Sequence, residues 1–415
     1  MSHSRGNEVD PAARVPPRRR RRAAVVDVAV VGGGMVGASA ALALARVGLS
    51  VTLVEAREPR PWRAEDEVDL RVVALAPSSA RLLNELGVWN AICAARVQPY
   101  RHMHVWDAAN GAAIDFDAAD IGRQFLGWIA ENRLLQSILW DALTDAGVQR
   151  LCPASVEGFV AGDDHVHVQL AGGDPLDARL LVAADGAASP LRQQAGIAMR
   201  QRDYGQRAVV AHVATERCHQ DTAWQRFLPG GPVALLPLSD ARSSVVWSLP
   251  EAEAQRVLAL DDAGFMQALG VATDFCLGRV MAATARAAFP LRMQLAQVYQ
   301  ADRLVLLGDA AHVVHPLAGQ GVNLGLRDVV ELRDSLCAAQ AAGRDMGAHT
   351  SLRRYARRRR SADTLDAWGI DMLDRLFSGS AATPKASVRE LGIRACNDLD
   401  LIKRVLSDRA SGTVI

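Results

Sequence analysis

The spacing of apolar and polar positions changes character several times along the chain. Val25–Val31 is a valine-dominated run broken only by Asp27, the pattern of a strand buried on both faces. Glycines follow, then Ala38–Val47, a segment of strong helix formers, then a second apolar strand at Leu49–Val54. Together these predict a βαβ unit. Leu86–Ala95 and Asn132–Ala146 carry helical spacing, and Ala178–Ala184 reads as another buried strand. From Gly205 to Leu249 the pattern turns strand-rich, with PGGP and LSD turn signals around ALLPL and SSVVWSL. Arg303–Leu307 returns to a continuous apolar run. Beyond Gly343 the spacing is helical, and Leu365, Trp368, Met372 and Leu376 form an apolar stripe of the kind used in core or interface packing.

This order predicts an α/β fold with an α+β insertion: a Rossmann-like cofactor domain interrupted by a β-sheet substrate domain and followed by C-terminal helices. The expected cofactor domain is discontinuous, comprising residues 24–95, 126–200 and 286–345. Residues 96–125 and 201–285 form the expected substrate domain, and 346–415 a helical region. Residues 1–23 are polar, proline-bearing and basic, and are expected to be a disordered arm.

Composition narrows the chemistry. The 415 residues are half apolar with a formal charge of +1, so nothing in the charge balance calls for nucleic acid. Lys385 and Lys403 are the only lysines. The body before them therefore cannot build a P-loop, a Schiff-base site or a kinase strand lysine. The six cysteines are scattered without a CxxC pair, the pattern of buried thiols in a reducing compartment. No apolar run reaches spanning length, and the arginines at 18 to 22 precede no signal-peptide core. A cytoplasmic location is expected.

Three segments carry candidate chemistry. Gly32, Gly34 and Gly37 form GxGxxG between the first strand and its helix. There the first glycine permits a tight turn, the second lets backbone approach a pyrophosphate, and the third lets helix and strand pack closely. Glu55 ends the second strand, at the distance where an acid holds a ribose 2′-hydroxyl. The second segment ends a strand in Asp185-Gly186, followed by Ser189, Pro190 and Arg192. The third ends a strand in Gly308-Asp309 and continues through His312 and His315 to Asp328. Each strand-terminal aspartate would stand at the carboxyl edge of the sheet, where it can accept hydroxyls of a bound ligand.

In this order the three segments resemble those of the FAD-dependent aromatic-ring monooxygenases. The stretch HPLAGQGVNLGLRD, His315 to Asp328, resembles the signature of the ubiquinone-biosynthesis hydroxylase family. DLRVVALAPSSARLLNELGVW, PYRHMHVW, ENRLLQSILWDAL and WQRFLPGGPVALLPL are similar to other family stretches, so the likeness covers roughly residues 25 to 410.

The resemblance implies an FAD cofactor, reduced by NADH or NADPH without a second Rossmann fold. Oxygen would then pass from a flavin C4a-hydroperoxide to an electron-rich ring. It implies a polyprenyl phenol or benzoquinol substrate, a quinone-biosynthesis multiprotein assembly as partner, and peripheral contact at the inner face of a membrane. Gly32, Gly34, Gly37, Glu55, Arg71, Asn132, Asp185, Gly308 and Asp309 are the expected cofactor contacts, with Arg133 an alternative to Asn132. His315, Pro316, Gly319 and Gln320 would form the wall beside the flavin. Gly319, Gly321, Val322 and Asn323 would open a helix whose free N–H groups face the anionic edge of reduced flavin. Arg353, Arg354 and Arg357–Arg360 are candidates for anionic lipid.

Other readings fit less well. His312 and His315 lack the cysteine or HExxH partners of a zinc site, and no GxSxG elbow supports a hydrolase. Flavin halogenases use a lysine missing from the body of this chain, and reductases of the geranylgeranyl type resemble the late motif less. A non-catalytic FAD-bound scaffold remains an alternative, as does hydroxylation of another phenol. No residue declares itself a catalytic base; His212, Tyr204 and Tyr299 are merely available.

Overall fold

The computed structural model describes residues 25–314 and 321–377. The basic arm, His315–Gln320 and the chain beyond 377 lie outside the described residues. In chain order, β1 (Val26–Val31), α1 (Met35–Arg46) and β2 (Val51–Val54) form the opening unit. β3 (Val72–Leu75), α2 (Pro77–Glu85), α3 (Trp89–Ala94) and β4 (Val97–Tyr100) follow, then a hairpin of β5 (His102–Asp107) and β6 (Ala113–Asp117). β7 (Gly127–Glu131) feeds α4 (Asn132–Asp145), β8 (Gln149–Leu151), β9 (Val156–Ala161), β10 (Val166–Leu170) and β11 (Leu176–Ala183). After α5 (Pro190–Gln194) come the long β12 (Met199–Thr215), β13 (Thr222–Phe227), β14 (Val233–Pro237) and β15 (Ser243–Pro250). Helices α6 (Glu251–Leu258) and α7 (Asp262–Ala272) precede β16 (Val280–Ala283) and β17 (Ala287–Ala296). β18 (Gln300–Ala301), β19 (Leu304–Leu306), β20 (His312–Val313), α8 (Gly321–Ala341) and α9 (His349–Phe377) complete the described chain.

The strands make three sheets. In the first, the order β18-β19-β11-β1-β2-β8 is parallel from β19 to β8, with the β9–β10 hairpin added to β11. Val28, Ala29 and Val30 are fully buried because helices cover the sheet, which explains the unbroken apolar run. Small side chains at Ala38, Ala41 and Ala43 let α1 pack closely against α4 and α8. The second sheet runs β20-β17-β12-β15-β14-β13-β5-β6, with β16 on β12. A three-stranded sheet, β3-β7-β4, lies between these chain segments.

The α/β core with a sheet insertion and a C-terminal helix matches the expected fold. Sheet membership differs in detail from the expected segments. β17 pairs with β12 along its length, so the second sheet runs about ten residues past position 286, while β4 pairs with β7 rather than with the insertion. Two helices, α6 and α7, follow the strand-rich stretch and pack on the second sheet. The α9 stripe is not core: Leu365, Trp368 and Met372 are 61%, 58% and 64% exposed. The buried face of α9 runs instead through Leu352, Tyr355, Arg359, Asp363 and Ala367. Arg359 is thereby removed from the arginines available to a lipid surface.

Candidate active site

Three strand ends lie side by side at the carboxyl edge of the first sheet. Parallel pairing sets Val31 beside Ala183 and Ala183 beside Leu306, so Gly32, Asp185 and Gly308 leave the sheet together. The turn after β1 is dictated by contact. Gly32 has φ +106°, and a Cβ there would lie 2.2 Å from the Ala184 carbonyl oxygen. A Cβ on Gly37 would lie 1.9 Å from the Gly32 oxygen, because α1 starts directly against the strand. Gly34 is different: it is exposed, its φ is ordinary, and a Cβ would meet nothing within 4 Å. Structure therefore demands the first and third glycines, while the second leaves an open cradle at the start of α1, the surface a pyrophosphate needs.

Glu55 turns back onto this cradle. Its carboxylate accepts the Gly33 N–H and, at 3.0 Å, the Arg57 N–H. Gln136 of α4 donates to the Gly33 carbonyl at 3.0 Å, fixing the turn from the other side. Gln136 is not among the expected cofactor contacts.

Asp185 is half-buried, and burial raises its carboxyl above the ordinary range. Its Oδ2 accepts the Leu191 N–H at 3.3 Å, whereas Oδ1 is sealed from solvent without a hydrogen-bond partner. Ser189 caps α5 by accepting the Arg192 N–H at 3.0 Å. The Arg192 guanidinium donates to the carbonyls of Ala310 and Ala187, both at 2.9 Å, tying the second motif to the third.

The third motif turns through Gly308 at φ +56°. Its following side chain, Asp309, is open to solvent by accessible area, yet enough protein surrounds it that burial raises its carboxyl, opposed by His312 and Arg71. The open face is the one that a ligand hydroxyl would use. α8 lies across this turn because Gly325 is bare: a Cβ there would sit 2.5 Å from Val36 Cγ2 and 3.3 Å from the Gly308 Cα.

Of the expected helix opening at Gly319–Asn323, Gly321–Asn323 belong to α8, and His315, Pro316, Gly319 and Gln320 lie outside the described residues. The Asn323 side chain is engaged by the β3–α2 junction. It accepts from the Ala76 N–H at 2.9 Å and the Ser79 hydroxyl at 2.7 Å, and donates to Ala74 O at 2.8 Å. It thus locks α8 to the β3–α2 junction.

Arg71 is exposed, with its guanidinium over the Phe289 ring at 5.5 Å. Asn132 donates its N–H to Arg71 O at 3.0 Å and holds Oδ1 buried without a partner. Arg133 is committed elsewhere, 3.1 Å from the Asp66 carboxylate. Glu131, not among the expected contacts, organises this rim. It accepts from Trp62 Nε1 at 3.2 Å, the Asp69 N–H at 2.6 Å and Arg96 Nε at 3.0 Å.

The available candidates for a base are placed as scaffold. His212 is buried, its Nε2 is 3.1 Å from Asp69 O, and burial lowers its pKa. Tyr299 is fully buried, and burial holds its hydroxyl well above the usual range. Tyr204 has its hydroxyl 3.4 Å from Asp371. His312 is buried with Nε2 2.7 Å from Asp328.

The residues fit a dinucleotide flavin: an open glycine cradle, an acid at its side and the Asp185 and Asp309 carboxylates stand on one sheet edge, and Asn132 holds an unpartnered buried acceptor oxygen at the start of α4. Residues 25–365 match the FAD binding domain family. The chain is 38% identical to the 3-demethoxyubiquinol 3-hydroxylase of Escherichia coli over 372 residues, covering 89% of this chain and 94% of that one. It is 35% identical to the mitochondrial ubiquinone biosynthesis monooxygenase COQ6 of Homo sapiens, across 91% of each chain. The fold is shared with p-nitrophenol 4-monooxygenase of Pseudomonas putida, with a TM-score of 0.73 at 20% identity, covering 93% of this chain and 98% of that one. Klebsiella pneumoniae HpxO, complexed with FAD and uric acid, superposes with a TM-score of 0.70 at 21% identity, over 93% and 96% of the two chains. With the glycine cradle, the two acidic strand ends and matches spanning nearly the whole sequence, the chain belongs to the ubiquinone-biosynthesis hydroxylase family of FAD-dependent aromatic-ring monooxygenases.

Proposed function

We propose that this protein hydroxylates the aromatic ring of a polyprenyl phenol or benzoquinol intermediate of ubiquinone biosynthesis, using FAD, NADH or NADPH, and O₂. The observation that carries the reading is the alignment of Gly32, Asp185 and Gly308-Asp309 along one sheet edge, in a chain so similar to ubiquinone-pathway enzymes.

Bound FAD supplies hydride acceptance and oxygen activation. The protein's part is to hold and orient. The Gly32–Gly37 turn and the α1 N-terminus take the pyrophosphate, with Arg71 beside it, and Glu55 takes the adenosine ribose. Asp185 and Asp309 accept ribityl hydroxyls, with Asn132 at the ribityl or ring edge. The N–H groups of Gly321, Val322 and Asn323, in the first turn of α8, would favour negative charge on a flavin held there. An electron-rich phenol needs little further activation, which accords with His212 and Tyr299 being buried as scaffold.

A polyprenyl tail partitions into lipid, so the proposal includes peripheral contact with an anionic membrane and with other quinone-synthesis enzymes. Among the described residues no helix is long and apolar enough to cross a membrane. Arg353, Arg354, Arg357, Arg358 and Arg360 are exposed on α9, ahead of the exposed Leu365, Trp368 and Met372. Basic residues near such a surface contribute about 1 kcal/mol each. Liposome binding that survives neutralisation of these five arginines would remove this part.

The test of the reaction is deletion of the gene with mass spectrometry of the quinone pool. A prenylated precursor lacking one ring hydroxyl is expected to accumulate. Normal ubiquinone without an intermediate, in a strain with no redundant hydroxylase, would overturn the assignment. Purified yellow protein that shows no quinol-dependent oxidation of NADH or NADPH would indicate a scaffold instead.

A further inference from the structure

A charge cluster is sealed beneath the third motif, and no cofactor contact accounts for it. Asp328, the last residue of the signature stretch, is fully buried. Its Oδ2 accepts the Gly308 N–H at 2.9 Å and meets His312 Nε2 at 2.7 Å, while Oδ1 accepts Arg359 Nε at 2.6 Å. Arg359 also donates to Asp363 one turn along α9, and Asp363 Oδ2 lies 3.6 Å from His312 Nε2. All four groups are at most 5% exposed.

Burying such a cluster is costly, with an effective penalty of several kcal/mol per ion before pairing, and well-packed apolar residues are often at least as stable. Its geometry is therefore the informative part. One carboxylate oxygen grips both ends of the turn Gly308–His312, and Asp309 lies exposed within that turn. The two carboxylates and His312 have a metal-like spacing, but the Arg359 guanidinium already binds both carboxylates and supplies the cation.

We propose that Asp328, oriented by Arg359, is a positioning residue that acts through Asp309: by gripping Gly308 and His312 it fixes both ends of the turn that presents the Asp309 carboxylate to the FAD ribityl chain. This rests on the reading of Asp309 as a cofactor contact. The same cluster makes α9 part of the cofactor site without touching cofactor, because Arg359 and Asp363 both come from that helix. The other ionisable neighbours are Tyr299, stacked 6.1 Å from His312, Tyr355, whose hydroxyl donates to Leu306 O at 2.6 Å, Glu331 near Tyr355, and Arg71 near Asp309.

The test titrates purified apoprotein with FAD, following flavin fluorescence, in a double-mutant cycle of Asp328→Asn and Asp309→Asn. Each single variant is expected to raise the Kd at least about tenfold, roughly 1.4 kcal/mol. The double variant should be weaker than Asp309→Asn alone by less than about threefold, because the route through Asp309 is already lost. Unchanged affinity in folded Asp328→Asn would overturn the proposal, as would a full tenfold loss on top of Asp309→Asn. If circular dichroism shows that Asp328→Asn does not fold, His312→Gln takes its place in the same cycle with the same criteria. Wild-type protein that fails to bind FAD would refute the cofactor site itself, a distinct result.

Discussion

Arg192 reaches from the Asp185-Gly186 segment to the Ala310 carbonyl at 2.9 Å, so the two acidic strand ends are held by one guanidinium. The side chain is 3% exposed, and burial pushes its pKa down from the ordinary value while Asp185 pulls it up. Its other terminal nitrogen donates to Ala187 O, so both segments take their curvature from the same planar group.

Arg192→Met keeps most of the buried volume but leaves two carbonyls without their donor. A loss of about 1–3 kcal/mol is expected, because the Ala310 carbonyl is buried and left unpaired while that of Ala187, an exposed residue, can turn to water. Chemical denaturation of the apoprotein reads it directly. An unchanged midpoint would show that the two motifs are held by their strands alone.

The glycines should separate by role. Gly34→Ala meets open space, so the apoprotein should melt within a degree or two of wild type while FAD binding falls by more than tenfold. Gly32→Ala forces a Cβ into the Ala184 carbonyl and is expected to abolish folding. A Gly34→Ala protein that purifies yellow with full occupancy would mean that the phosphates do not run over this turn.

The buried cluster sets a pH dependence of stability. Desolvation lowers the His312 pKa, but Asp363 and Asp328 overcome it and raise the group to about 9. The folded state then holds a proton that the unfolded chain releases near pH 6.5. That stabilisation is complete below pH 6.5 and is lost as pH rises through about 9. Asp363, raised by burial to about 6, acts in the same direction between about pH 4 and 6. The melting temperature should fall from pH 6.5 to 9.5, and His312→Gln should flatten the slope. A flat wild-type profile over that window would mean His312 is neutral in the fold.

Glu131→Gln keeps shape but removes the charge facing Arg96. Trp62, Asp69 and Arg96 all depend on that carboxylate, so the segment from 57 to 71 should loosen. Trp62 fluorescence should shift, and protease cleavage within the segment should accelerate several-fold. Cleavage at the wild-type rate would place the order of that segment elsewhere.

How much of this was legible in the sequence depended on whether the cause was local. Gly32 and Gly37 announce themselves because the turn after β1 permits no side chain, and Asp185 and Asp309 because each follows an apolar run that must be a buried strand. Glu131 and Gln136 fall in the family-like stretch ENRLLQSILWDAL, but their roles come from partners on distant segments, Arg96 and Gly33, that only the fold brings within reach. Of the two uses the α9 stripe allows, core and interface packing, exposure of Leu365, Trp368 and Met372 removes the first. The buried face is a mixed one, Leu352, Tyr355 and Ala367 with Arg359 and Asp363, because those two charged groups find partners on α8 and β20. Asn323 was singled out for its place at a helix start, yet its amide serves the β3–α2 junction.

The parallel pairing of β5 with β13 has a consequence for how the chain reaches this fold. His102 aligns with Thr222 and Asp107 with Phe227, so two strands more than a hundred residues apart share one ladder. Closing so long a loop precedes any reward from the contacts, which slows folding and favours late assembly. The hairpin β5–β6 therefore waits, with an unpaired edge, until most of the chain has been made. That interval is when the protein is most exposed to association with other copies, and when a chaperone would matter most to its yield.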